Sequence, residues 1–414
     1  MYRFLLPWLL ACGLWPAAWA AEGDVENWLT QLQRRLADHP QMQAEYRRLL
    51  AQDWQAEALQ QPLYNPELEA SYDREGSNDN YLLGLSQTFD LWNRKALRGR
   101  QGDALREAAS QAWKQVLLER SVQAIRALLD WELTRERWNL AREQEQQTHT
   151  LLQLVDQRLQ AGDLGEVDAE LAYMELSGRL QQTAQAESEM LQAEKTVQSI
   201  MPGWTVEQGG VPGGFWPWLE ARYRDDERVW LEAHPALKAL QGLWQMAERE
   251  AELADRSRRP DPTMGLGVGR VDGEQALGLS FSLPLNVRNR FLAESRAAEE
   301  QALEAELRWR ARWRDLRYRM QSAHARARKL DQRLAQWQAL MQARLQRSAR
   351  LLEAQWQSGD LSTADYLLAL DKRIQALQAG LDLRRALTHA WLDWLQASAA
   401  LPLPAPETMM EKSR

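Results

Sequence analysis

Two proline-free helical runs of about the same length, 93–159 and 289–357, each end in Gly-Asp-Leu and then restart as a shorter helix. At 1.5 Å per residue each run reaches roughly 100 Å, far beyond an ordinary globular helix, so each needs a long partner to bury its apolar stripe. A glycine at the end of such a run is the residue best suited to stop it. The stretches 158–168 (RLQAGDLGEVD) and 355–365 (QWQSGDLSTAD) therefore read as the tips of two helical hairpins.

The tips belong to a duplication. His39-Pro40 returns as His234-Pro235, Asn65-Pro66 as Asp261-Pro262, Gly84-Leu85-Ser86 as Gly278-Leu279-Ser280, Asn93-Arg94 as Asn289-Arg290, and the Gly162 tip as the Gly359 tip. These landmarks keep their order at a spacing of 194–197 residues. An internal repeat decides an architecture before any single element does. The predicted units are 21–200 and 229–398, with a linker over 201–228 that is Gly/Pro/Trp-rich and non-helical over 201–218, and a proline-rich tail over 399–414.

Each unit reads as helix, two short strands, long helix, tip, helix. The first helix spans 27–60, with Leu29, Leu32 and Leu36 on one stripe. The strands are predicted at 66–74 and 81–91, and at 262–270 and 275–285. In the second pair Met264, Leu266 and Val268 alternate with Gly265, Gly267 and Gly269, while Leu277, Leu279 and Phe281 alternate with Ala276, Gly278 and Ser280. One face is apolar and the other carries almost no side chain. Transmembrane barrel strands of about 9–11 residues have that alternation; a hairpin packed on a soluble core is the competing reading. Four strands cannot close a barrel and lipid does not tolerate a bare edge, so the barrel reading requires further copies of the chain.

The long runs have shorter partners of matching combined length. The runs 27–60 and 168–199 together fall one residue short of the first, and 229–258 and 362–397 three short of the second. Each long helix is therefore expected to lie beside two shorter ones placed end to end. Leu105, Ala109, Ala112 and Val116 give the 4, 3, 4 spacing of a packing seam.

Composition narrows the function. The net charge of −7 disfavours a nucleic-acid partner, which requires a basic face. No apolar run after residue 20 is long enough for a membrane helix. Residues 1–20 read as a signal peptide: Arg3, an apolar stretch over 4–14, and Ala18-Trp19-Ala20 as a cleavage site. Lipidation at Cys12, the only cysteine, is the alternative processing route. Gly265-x-Gly267-x-Gly269 lacks the spacing and the following helix of a nucleotide loop. His39 and His234, each before a proline, read as structural, and His149, His324 and His389 as surface positions. No hydrolase, zinc-protease or Walker pattern occurs, so no enzyme activity and no cofactor are expected. Asp163 and Asp360 are open to two roles, capping the next helix or meeting a partner.

This order of elements, with Arg158-x-x-x-Gly162 then Asp168, and Gly359 then Asp365, resembles the TolC-type outer-membrane efflux family over about 27–397. The short loops 75–80 and 271–274 are most similar to those of its cation-efflux (CzcC-like) branch. The resemblance implies an α+β membrane protein: a homotrimer with a twelve-stranded barrel in outer-membrane lipid above a periplasmic helical tunnel. It further implies a passive exit duct for an inner-membrane pump of the resistance-nodulation-division type, joined through a periplasmic adaptor, with metal cations as the favoured cargo. By position, Arg158, Gly162, Asp163, Leu164, Gly359, Asp360 and Leu361 would meet the adaptor, and Asp365 would help constrict the tunnel. Leu368 stands where some members carry a second acid. A rod-like adhesive surface protein is the alternative, and it leaves the glycine-lined strand pairs without a purpose.

Overall fold

A computed structural model describes residues 20–410 apart from 77, 224–225 and 273. The expected leader, with Cys12, lies outside the described residues except at Ala20. The chain runs α1 (Ala20–Ala37), α2 (Pro40–Gln60), β1 (Glu67–Glu75), β2 (Asn78–Thr88), α3 (Arg94–Ala161) and α4 (Glu166–Ile200). A short 3₁₀ turn, Val206–Gln208, precedes α5 (Phe215–Arg222), α6 (Glu227–Ala233) and α7 (Pro235–Arg256). Then come β3 (Thr263–Val271), β4 (Glu274–Ser282), α8 (Leu292–Gln357), α9 (Thr363–Ser398) and α10 (Pro406–Met410).

Helix α3 packs against α2 near the strands and α4 near its far end, and α8 packs against α7 and α9 in the same way. Helix α7 also touches α3, which ties the two units together. The packing stripe on α3 differs from the expected one: Ala109 is buried, Ala112 is exposed, and Trp113 and Leu117 take the deep positions. Contact with neighbours on two sides makes the buried arc wider than a single coiled-coil seam.

Two expected helices are broken. The run 27–60 divides at His39, and the run 229–258 divides at His234. Proline in the first turn lacks an N–H and disfavours helical backbone in the residue before it. Each histidine then caps the new helix, its Nδ1 accepting the amide of Gln41 or Ala236 at 3.2 Å. The stretch 201–218, expected to be non-helical, runs into α5, because Phe215, Trp218 and Leu219 give that short helix an apolar face to bury.

The strands form one antiparallel sheet in the order β1-β2-β3-β4. β2 begins three residues before the expected position and ends three before, because Asn80, Asp79 and Asn78 continue the ladder opposite Asp73, Arg74 and Glu75. The register aligns Leu68, Leu85, Leu266 and Leu279 across one face, and Glu69, Gly84, Gly267 and Gly278 across the other. The apolar face is uncovered: Leu68 is 73% exposed and Leu279 is 85% exposed. β1 and β4 are the sheet's free edges.

The largest core lies midway along the helices. Leu29 of α1, Trp131 of α3, Leu219 of α5 and Trp394 of α9 are buried there, with Trp131 edge-on to Trp204 at 4.9 Å. Charged pairs join α3 to α9 across the same level. Arg126 meets Asp393 at 2.7 Å, and Asp130 receives both Arg385 and His389 at 2.9 Å. Burial pushes the Asp130 carboxyl up, but the hydrogen bond and charge of His389, with those of Arg385, hold it below the usual carboxylate range. His324 is likewise engaged, stacked on Tyr223 with ring centroids 4.0 Å apart. The expectation that His324 and His389 are unpartnered surface residues therefore fails, because distant elements converge at this level; His149 is exposed.

Candidate functional site: the paired helical tips

The first tip ends α3 through Gly162, whose φ of +80° lies in the left-handed region that a residue with a Cβ enters at a cost. Its N–H donates to the Leu159 carbonyl at 3.1 Å, and the Asp163 N–H donates to the Arg158 carbonyl at 2.9 Å. These two bonds make a Schellman stop and satisfy carbonyls that the helix end leaves free. The second tip repeats the turn at Gly359, with φ +82° and its N–H donating to the Trp356 carbonyl at 3.2 Å.

The restarts differ. Ser362 caps α9: its Oγ accepts the Asp365 N–H at 3.0 Å and donates to the Asp365 carboxylate at 2.8 Å. This is a reciprocal cap of the Ser-x-x-acid type. Helix α4 starts at Gly165 without a side-chain cap. Neither Asp163 nor Asp360 caps a helix, which removes one of their two expected roles; each lies two residues before the cap position. Asp360 instead accepts the Ser358 hydroxyl at 2.7 Å.

The two tips are joined to each other. Arg158 donates to the carbonyls of Trp356 at 3.2 Å and Gln357 at 2.9 Å, and its guanidinium lies 4.6 Å from the Trp356 ring centroid. A cation at a helix C-terminus also complements the partial negative charge of the free carbonyls. Trp356 is buried between the tips, donates to Thr363 at 3.2 Å and stacks on Tyr366. Leu151, Leu152, Val155, Ala169, Ala172 and Leu367 complete this small core, with Leu164 and Leu361 against it. Gly162, Asp163, Gly359 and Asp360 are exposed at its end. Sequence spacing brought out the glycines and acids but not Trp356 or Tyr366, which stack on each other within the second tip, nor the bond from Arg158 to the Trp356 carbonyl, which joins residues 198 apart.

No protein-family model and no curated protein sequence matches the chain. Solved structures do. The outer-membrane channel OprN superposes with a TM-score of 0.78 at 15% identity, over 95% of this chain and 94% of that one. The channel CusC gives 0.75 at 16%, over 90% and 92%. The outer-membrane channel CmeC of Campylobacter jejuni gives 0.75 at 14%, over 95% and 90%. The chain has the TolC-type channel fold.

In that TolC-type fold the tips stand at the end of α3 and α8 opposite the sheet, separated from it by the length of a 68-residue helix, roughly 100 Å. Among the described residues no group of three or more His, Cys, Asp or Glu could hold a metal ion. A second unforeseen feature lies midway along α3. Glu132 is half-buried and accepts the Val211 N–H at 3.1 Å, pinning the connector to the long helix. Burial pushes its carboxyl up to about 7 against the lowering effect of that bond.

Proposed function

We propose that the protein is the exit duct of a tripartite efflux system, a homotrimer that conducts cargo across the outer membrane and catalyses no reaction. The sheet carries this reading. Its uncovered apolar face, its opposite face of small and polar residues (glycines and serines, with Glu67, Glu69 and Asp73 on β1), and its two free edges suit a segment of barrel wall in lipid. Three copies would supply twelve strands, and the helices beneath would form the periplasmic tunnel. A coiled-coil adhesin has no use for such a sheet.

The tips then face the periplasm's inner side, where the adaptor that leads to a resistance-nodulation-division pump would dock. Gly162, Asp163, Leu164, Gly359, Asp360 and Leu361 form the docking surface, and Arg158 fixes the two tips relative to each other for that contact. Asp365 contributes a carboxylate from each copy to the tunnel mouth, held at the start of α9 by Ser362. Metal cations are the cargo this reading favours, on the short exterior turns shared with the cation-efflux branch.

Deleting the gene and measuring resistance across metal salts and organic drugs tests the reading. Sensitivity on deletion that the wild-type chain reverses, with the protein in the outer-membrane fraction, is the expected result. A chain that fractionates with soluble proteins and changes no resistance would overturn it.

A further inference from the structure

The two hairpins are related by a constant shift of 196 residues, so the structural counterpart of Gly84 is Ser280 and not Gly278, the match that sequence spacing suggested. Leu68 pairs with Leu85 in the first, and their counterparts 196 residues later, Met264 and Phe281, pair in the second. The β2–β3 seam between the units has its own register, in which paired residue numbers add to 351: Gly84 lies opposite Gly267 and Leu85 opposite Leu266. A closed barrel needs a consistent stagger around the ring. Moving β2 up to β4 and β3 down to β1 by the same 196 leaves that total unchanged, so internal symmetry specifies one register for the free edges.

We propose that β4 of one copy pairs antiparallel with β1 of a second copy in this register, with Ser280 opposite the partner's Ser71 and Phe281 opposite the partner's Ala70. This deepens the trimeric-duct reading and rests on it. The two free edges are chemically suited to it. Leu283, Phe281 and Leu279 would meet Leu68, Ala70 and Tyr72 on the apolar face, and serines would meet on the other. A large ring opposite a small side chain packs without crowding.

Proline at 284 also fits. Within the chain the Phe89 N–H donates to the Pro262 carbonyl at 3.0 Å, so Thr88 and Thr263 are a pair whose own amides point away from the seam. Pro284 is the counterpart of Thr88, and the missing N–H costs the proposed ladder nothing. Leu285, the counterpart of Phe89, would donate to the partner's Pro66. A slip of one residue would turn the apolar rows to the wrong face.

The copy is incomplete at the base of the sheet. Asp261 receives Arg94 and, at 2.8 Å, the Tyr64 hydroxyl, and both charged residues are buried. Asn65 is the counterpart of Asp261, so the second seam lacks the acid of that ion pair.

Cysteine cross-linking tests the register. Ser71 and Ser280 correspond to Gly267 and Gly84, a pair two steps from Thr263–Thr88 and of the same close-spaced kind, about 4.5 Å between Cα atoms, which a disulfide can span. The full-length chain carrying Ser71→Cys and Ser280→Cys is oxidised in membranes and run without reductant. It should yield a covalent trimer, while each single variant and the shifted pairs Glu69→Cys with Ser280→Cys and Asp73→Cys with Ser280→Cys should not. Closure of a shifted pair instead, or a native trimer in which none of the three pairs closes, would overturn the proposed seam. A wild-type chain that is monomeric in native separation would instead defeat the trimeric-duct reading itself.

Discussion

Arg158 in the last turn of α3 donates to the carbonyl of Gln357, the last residue of α8, at 2.9 Å. The contact crosses from one repeat to the other at the far end of the molecule from the sheet. It makes the two hairpin tips one body, and a partner that grips one tip grips both.

Arg158→Ala should loosen the tips without unfolding the chain. The substitution removes a cation–π contact and two hydrogen bonds from a charged donor, together about 1–3 kcal/mol of local stability. Hydrogen exchange should quicken at the Gly359 and Leu361 amides, which close the second tip, and stay unchanged in the midsection core. Arg158→Lys should recover only part of the protection, because an ammonium cannot fork across two carbonyls.

Gly162→Pro should abolish efflux and leave trimers intact. Proline fixes φ near −65° and has no N–H, whereas Gly162 sits at +80° and donates to Leu159. The tip must rebuild, while the midsection core and the sheet are untouched. Resistance assays and native electrophoresis together check this. Loss of the trimer would show that the tip supports assembly as well as docking.

Glu132 should make the fold less stable as pH rises. Its carboxyl, raised by burial to about 7 from an ordinary 4.5, binds a proton more tightly folded than unfolded. The stability it contributes is present below about 4.5 and is lost as pH rises through about 7. Glu132→Gln keeps an acceptor for the Val211 N–H and carries no charge. Thermal unfolding of the variant should show a flatter pH dependence over that window and a higher Tm than wild type at pH 8.

His234 should act in the opposite direction. Burial lowers its imidazole from 6.5 to about 4, joined by the nearby Arg312 charge and opposed by its hydrogen bond to the Gln396 carbonyl. Protonation would also remove the Nδ1 acceptor that caps α7. Stability from this group is present above about 6.5 and is lost as pH falls through about 4. His234→Asn, which can still cap a helix, should remove that acid-side loss in the same unfolding series.

The architecture was legible because length, proline placement and strand alternation are local signals repeated twice. The Gly162 and Gly359 turns announced themselves by residue type alone. Two kinds of feature were hidden. The His39 and His234 helix breaks look like continuous helix in apolar periodicity, and only the proline's backbone chemistry reveals them. The Arg158–Trp356 clamp, the Asp130–His389 pair and the Glu132–Val211 latch join residues far apart in sequence, so no spacing rule connects them. Asp365 was legible as an acid at a tip, but its bond to Ser362 needed the turn's geometry.

The central claim, that this chain forms a duct, is tested most directly by conductance. Purified trimers added to a planar bilayer should produce discrete, reproducible current steps, and Asp365→Ala should enlarge each step by removing one carboxylate per copy from the mouth. A purified trimer that inserts into the bilayer and passes no current, in wild type and variant alike, would contradict the account.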